Sequence, residues 1–117
     1  MKNFRKLIVW EKGIEITKTA YQLSENLPSQ EKYRIIDQLN RAALSIPLNI
    51  AEGCSRKSEK EFRHYLSISL GSAFEVETIL VIIEELSMIP SNQLIKLKGL
   101  VNEEEKMLNA LIHRPIN

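Results

Sequence analysis

Apolar residues recur along this chain at steps of three and four, the spacing of one helix face, and nowhere do they alternate as in a half-buried strand. The first such segment covers residues 8–25, with Trp10, Ile14, Thr17 and Tyr21 on one stripe and Gly13, Ile16, Ala20 and Leu23 on a second beside it. Asn26-Leu-Pro-Ser29 stops it, because proline restricts the residue before it and cannot continue the hydrogen-bond ladder. The second segment covers residues 30–53, with Ser29 as its N-cap, Glu31 in its first turn and Gly53 as a closing residue that accepts positive φ. The third covers residues 59–88 and starts at a capping box, Ser58-Glu-Lys-Glu61. Phe62, Leu66, Ser69, Ala73, Val76, Leu80 and Ile83 then keep a strict heptad, flanked by a second stripe of Tyr65, Ile68, Ser72, Ile79, Ile82 and Leu86. The fourth covers residues 92–113, its core stripe being Leu94, Leu97, Val101, Leu108 and Leu111.

Connections of a few residues force neighbouring helices to run antiparallel, so the pattern predicts an all-α, up-down-up-down four-helix bundle and one domain over residues 1–117. Two apolar stripes on the third helix are more than one bundle core needs, which predicts a homo-oligomer. Helix 2 is unusual inside that plan. Pro47 sits mid-helix, where it should kink the helix at ~3 kcal/mol unless packing over-determines it. Arg41, Ser45, Asn49 and Glu52 lie close to the apolar face and need partners, since unpaired polar groups near a core are costly. Folding helices 2 and 3 back around Ser55 sets Gly71-Ser-Ala73 against Ala42-Ala43, which predicts close backbone approach at Gly71. The same pairing predicts an ion pair between Arg41 and Glu75 or Glu77, and makes Arg41, Asn49, Glu52 and Glu75 structural polar residues.

Composition narrows the class. The chain is 44% hydrophobic and 26% charged, which is globular rather than disordered, and 117 residues can bury an ordinary core. A net charge of +1 and a pI near 7.8 give no global field toward nucleic acid or anionic membrane. One cysteine, Cys54, excludes an internal disulfide and fits a reducing compartment. The apolar run Leu7-Ile-Val-Trp10 is too short for a signal peptide, and Ile79–Ile83 is far shorter than the ~20 residues of a membrane span. A cytoplasmic protein with no membrane partner is expected.

Candidate chemistry is sparse. Glu61-Phe-Arg-His64 has the Glu-x-x-His spacing of di-iron bundles, but the other histidine, His113, has Ala110 where the second glutamate is needed. Cys54 and His64 lack a third group to orient the imidazole, and Cys54 follows a helix C-terminus, where the dipole disfavours a thiolate. No catalytic residue, metal or cofactor is expected, and Glu103-Glu-Glu105 reads as a solvated charge run. Two basic clusters remain. Arg56, Lys57, Lys60 and Arg63 surround the 2–3 turn, and Lys2, Arg5, Lys6 and Lys12 mark the N-terminus, whereas residues 72–89 hold four glutamates and no cation. Charge is therefore segregated along the bundle. Either the clusters are ordinary helix ends or Arg56, Lys57, Lys60 and Arg63 form a nucleic-acid surface.

Phe4-Arg-Lys-Leu-Ile-Val-Trp10, Leu27-Pro28 with Glu31, the run from Gln38 to Gly53 containing Ser45-Ile-Pro-Leu-Asn-Ile-Ala-Glu-Gly53, and Gly71-Ser-Ala-Phe-Glu-Val-Glu77 together resemble the bacterial 23S rRNA intervening-sequence protein family, also called "four helix bundle protein". Asn40 stands where that family usually has a basic residue, and Leu48 where it often has a small one. The resemblance covers nearly the whole chain. It implies a left-handed four-helix bundle assembled as a homopentamer. A relative, the accessory protein of diversity-generating retroelements, is a basic barrel that binds nucleic acid and a reverse transcriptase. The expected function is thus a non-enzymatic homo-oligomer binding RNA or DNA at a basic rim, the alternative being a protein-interaction scaffold that never touches nucleic acid.

Overall fold

Four α-helices make up the computed structural model, which describes residues 2–115: α1 (Ile8–Ser24), α2 (Asp37–Cys54), α3 (Glu59–Glu85) and α4 (Ile95–Ile112). Each helix packs against the next and α4 closes on α1, giving an up-down-up-down bundle 48 Å long and about 20 Å across. Among the described residues there is no strand. Short 3₁₀ turns at Phe4–Lys6, Ser29–Glu31 and Ser91–Leu94 lead into the helices.

The α3 heptad is buried at every position from Phe62 to Ile83. In α1 only the second stripe enters the core, while Ile14 and Tyr21 stay exposed. The α4 stripe holds a surprise. Glu104 lies between Val101 and Leu108 at steps of three and four and is fully buried with them, so the expected solvated run Glu103-Glu-Glu105 turns its middle carboxyl inward.

Several boundaries differ from the sequence expectation. Residues 29–36 wind as a 3₁₀ turn and a π-helical turn (Lys32–Ile36), so regular α2 begins only at Asp37, and Ser29 makes no side-chain cap. Gly53 is not a positive-φ terminator, since no glycine among the described residues has positive φ. Its reason is contact: a Cβ there would lie 2.9 Å from Tyr65 Cβ and 3.2 Å from the Phe62 carbonyl oxygen. Helix α3 stops earlier than expected, at Glu85. Ser87 takes φ 50° and the amides of Ser87 and Met88 bond back to the Glu84 and Ile83 carbonyls, which satisfies the orphan acceptors of the last turn. Only one arm of the Ser58 capping box is made, the Glu61 amide donating to Ser58 Oγ at 3.1 Å.

Pro47 does not break α2, which stays continuous and buries the ring. Proline has no amide, so the carbonyl of Ala43 loses its helical donor. Thr17 Oγ1 of α1 fills that place, 3.2 Å from Ala43 O and 2.9 Å from its own Gly13 O. One turn before Thr17, Gly13 is pressed on the proline: a Cβ there would sit 3.2 Å from Pro47 Cβ, Cδ and N. The packing that over-determines the proline is therefore the α1–α2 crossing. On the other side of α2, Ser69 Oγ donates to Ile46 O at 2.9 Å. Replacing Thr17 by Val keeps the shape and strands the Ala43 carbonyl. Thr17→Val should lower unfolding free energy by about 1–3 kcal/mol in urea titration, and Gly13→Ala should also destabilise by forcing the helices apart.

Candidate nucleic-acid interface

The termini of the helices bring distant cations together. Residues 2–7, 52–64 and 110–115 share one end of the bundle, where the Lys2 amide donates to the Cys54 carbonyl and Arg63 Nη1 to the Ile112 carbonyl at 2.7 Å. Eight Lys and Arg side chains gather there: Lys2, Arg5, Lys6, Arg56, Lys57, Lys60, Arg63 and Arg114. Against them stand three carboxylates, Glu52, Glu59 and Glu61. At the opposite end, residues 21–37 and 84–98 are close to balanced, with four cations and five carboxylates. The segregation that the sequence suggests thus becomes a positive end, and the fold adds Arg114, which lies far from the other clusters in sequence. A groove of about 300 Å³ opens there, with Lys2, Arg63 and Arg114 on its walls above Phe62 and Leu111.

The four residues expected to contact phosphates divide into two pairs. Arg56 bonds Glu52 and donates to Tyr65 Oη at 2.9 Å, its guanidinium 4.9 Å from the Tyr65 ring centre. Arg63 contacts Glu59 at 3.4 Å as well as the Ile112 carbonyl. Arg56 closes the α2–α3 turn, and Arg63 ties the start of α3 to the end of α4. Lys57 and Lys60 are exposed and form no ion pair among the described residues. Lys2 pairs with Glu59 at 3.5 Å and lies over Phe62. Arg5 lies over the Trp10 ring, exposed to solvent.

The structural polar residues also separate. Asn49 Nδ2 donates to Ser45 O at 2.8 Å and to Ser45 Oγ at 2.9 Å, and Ser45 Oγ meets Ser72 Oγ at 2.7 Å across the α2–α3 seam. Glu52 holds Arg56. The expected ion pair of Arg41 with Glu75 or Glu77 is absent: Arg41 and Glu75 are exposed, and neither forms an ion pair among the described residues. Two serines occupy the seam where the charge pair was expected, and Arg41, one turn before Ser45, is left exposed. The close backbone approach expected at Gly71 is also absent. The glycine is exposed, with nothing within 4 Å of a Cβ placed there.

Titration separates the remaining candidates. Burial pushes the Cys54 thiol up, partly offset by Lys2, so it is a poor nucleophile. Glu61 and His64 both face solvent, His64 edge-on to Tyr65. Glu104 is the strongly perturbed group. Both its oxygens are buried without a hydrogen-bond partner, and desolvation raises its carboxyl to about 8 against an opposing pull from Lys12, which is itself paired with Glu103. The step-of-three-and-four spacing from Val101 marked this residue; the acidic run around it obscured the signal.

An all-helical bundle with one positive end defines the class of this molecule, and the comparisons with known proteins give its family. The 23S rRNA-intervening sequence protein family profile matches residues 5–110, and the chain belongs to that family. Among solved structures it is similar to a protein of unknown function from the S23 ribosomal protein family of Bacteroides thetaiotaomicron VPI-5482. That protein is 26% identical over 91% of this chain and 99% of its own, with a TM-score of 0.84. No curated protein matches the sequence.

The raised Glu104 carboxyl ties stability to pH. The folded chain holds a proton that the unfolded chain releases near 4.5, so the Glu104 contribution to stability is fully present below that pH and is lost as pH rises through about 8. Glu105, raised to about 7 by burial and its neighbour Glu77, acts in the same direction. Glu104→Met should flatten most of this slope in urea melts between pH 5 and 8.5, and gain a few kcal/mol at the alkaline end, at about 1.4 kcal/mol per unit.

Proposed function

We propose that the protein is a non-enzymatic homo-oligomer whose basic end binds nucleic acid through the phosphate backbone, without base recognition. The observation that carries this reading is the gathering of cations from the N-terminal segment, the α2–α3 turn and the end of α4 onto one face, while the total charge is only +1. Lys57, Lys60, Arg5 and Arg114 supply the phosphate contacts, and Arg56 and Arg63 hold the surface in shape. Backbone contacts of this kind position a nucleic acid without reading its sequence.

Assembly is supported by apolar surface that one bundle leaves uncovered. By length and composition α3 would suffice to cross a membrane, yet only 44% of its most apolar stretch is buried in the bundle. Ile68, Phe74, Val81, Ile82 and Leu86 on α3, with Leu44 and Leu48 on α2, remain exposed. A second copy of the chain is the cover proposed here, in a ring of five by likeness to the family, and a ring repeats the basic end around one rim. A cytoplasmic location belongs to the same reading.

The scaffold alternative is favoured by one observation, the engagement of Arg56 and Arg63 with partners inside the chain. The two readings part in a binding titration. Nucleic-acid affinity should fall steeply with salt, because each neutralised phosphate releases condensed counterions. The Lys57→Ser, Lys60→Ser pair should weaken RNA and DNA alike and lower the salt slope by about one for each phosphate no longer neutralised, with fold and assembly intact. Wild-type protein without measurable affinity for single- or double-stranded RNA or DNA at about 50 mM salt would leave the scaffold.

A further inference from the structure

Two grooves meet at the basic end, where α1 begins and α4 ends, and their chemistry differs. The first, of about 300 Å³, carries charge on its walls from Lys2, Glu59, Arg63 and Arg114. Glu59 is already paired there, with Lys2 at 3.5 Å and Arg63 at 3.4 Å. The second, of about 370 Å³, has walls of Leu7, Ile8, Met107, Ala110 and Leu111, and Lys6 and Arg114 give it positive charge with no carboxylate among the described residues. Leu7, Leu111 and Arg114 line both grooves, so the two form one trough with a charged half and an apolar half. Lys6 and Arg114 are exposed and form no ion pair among the described residues.

Local sequence builds the apolar half. Leu7 joins the Phe4–Lys6 turn to α1 and packs on the core, and Ile8, the first residue of α1, is left 64% exposed. Met107, Ala110 and Leu111 share one face of the last turns of α4, at steps of three and four. Arg63 holds the Ile112 carbonyl at 2.7 Å and so fixes that end of α4 on α3. Contact with phosphate alone requires no apolar wall. A polyanion whose own apolar faces are open does, and that describes a single strand: in a duplex the base faces are stacked on one another, whereas an unpaired base can be splayed onto a protein surface. The apolar half is at the small end of ligand sites, about 300–1,000 Å³, a size suited to one ring system. Arg114, where the halves meet, suits both parts of a nucleotide, since a guanidinium pairs with phosphate and its plane stacks on rings. The trough lies on α1 and α4, whereas the apolar residues assigned above to assembly lie on α2 and α3.

We propose that this trough seats an unpaired nucleobase against Leu7, Ile8 and Leu111, with the adjoining phosphate at Arg114, so that the basic end selects single-stranded nucleic acid over duplex. This rests on the phosphate-binding reading above and adds strandedness to it. Lys57, Lys60 and Arg5 bind neighbouring phosphates of either form, and the trough supplies the difference between the forms. Its apolar half presents no side-chain amide or hydroxyl to a base edge, so it holds a base by its faces and reads no sequence. Apolar surface of base and trough leaves water together, a gain that salt does not screen.

Fluorescent probes of equal phosphate number separate the contributions: a single-stranded oligothymidylate, a duplex, and a strand of abasic residues. In anisotropy titrations at about 50 mM salt, the protein should bind oligothymidylate about tenfold tighter than the duplex or the abasic strand, the scale of one base held on a protein surface. The Ile8→Ser, Ala110→Gln variant alters two exposed residues and no charge, and should remove that margin while duplex affinity stays unchanged. Far-UV circular dichroism establishes that the variant is folded, and Ile8→Ser alone serves where the pair is not. Wild-type protein that binds none of the probes overturns the phosphate reading and this site with it. Equal affinity for oligothymidylate and either other probe, or a margin that survives the variant, overturns the base seat alone and leaves the trough to an apolar segment of a protein partner. A variant that weakens all three probes alike overturns it too, because the trough then acts on the shape of the basic end.

Discussion

Everything in the bundle is arranged around the crossing of α1 and α2 at Pro47. A proline in mid-helix removes a donor and leaves a carbonyl without a partner, and the cost is met only where another element supplies both contact and hydrogen bond. Gly13 provides the contact, since its missing side chain lets α1 lie against the pyrrolidine ring. Thr17, one turn on, provides the donor to Ala43. These two α1 residues are useful only with each other and with the proline, which fixes the register of α1 on α2. Once that register is set, the small residues of α2 face α3 at close range, and Ser69 and Ser72 bond to Ile46 and Ser45.

Most buried polar groups of the bundle find partners inside it; among the described residues Glu104, one oxygen of Glu105 and Arg56 Nε do not. Ser24 is buried and donates to Ala20 O and Asn40 Oδ1, and Ser45, Asn49 and Ser72 satisfy one another. Glu104 is the extreme case: a carboxyl in the core with no hydrogen-bond partner stays protonated at neutral pH, the nearby Lys12 charge notwithstanding. The bundle thus carries a destabilising element that grows with pH, in a layer where the sequence could have placed an aliphatic residue without altering the stripe.

Function, on the reading advanced here, emerges from where the chain ends and turns. A total charge of +1 conceals a bundle whose one end is strongly positive and whose other is balanced. Antiparallel packing is what makes this happen, because it places the start of α1, the α2–α3 turn and the end of α4 side by side. Electrostatic attraction to a polyanion depends on local density of charge more than on its sum. Charged side chains at this end also have competing work: Arg56 and Arg63 close the turn and the C-terminal end, and only the cations outside such bonds remain for a ligand.

The sequence by itself determined the number, type and order of the helices, the α3 core and the family. Periodicity and punctuation are local signals, and a heptad such as Phe62 to Ile83 can bury one face whatever its neighbours are. It also marked Pro47, Ser45 and Asn49 as residues needing a tertiary reason, because their costs are local too. Tertiary structure alone decided which partner meets each cost. Thr17 looked like any stripe residue, Gly53 looked like a terminator, and Glu104 looked like part of a solvated run until neighbouring helices fixed what each one touches. Arg41 shows the limit from the other side: register places it level with a carboxylate, but its angle about α2 points it outward, and a rotation of one helix about its axis is written in no single stretch of sequence.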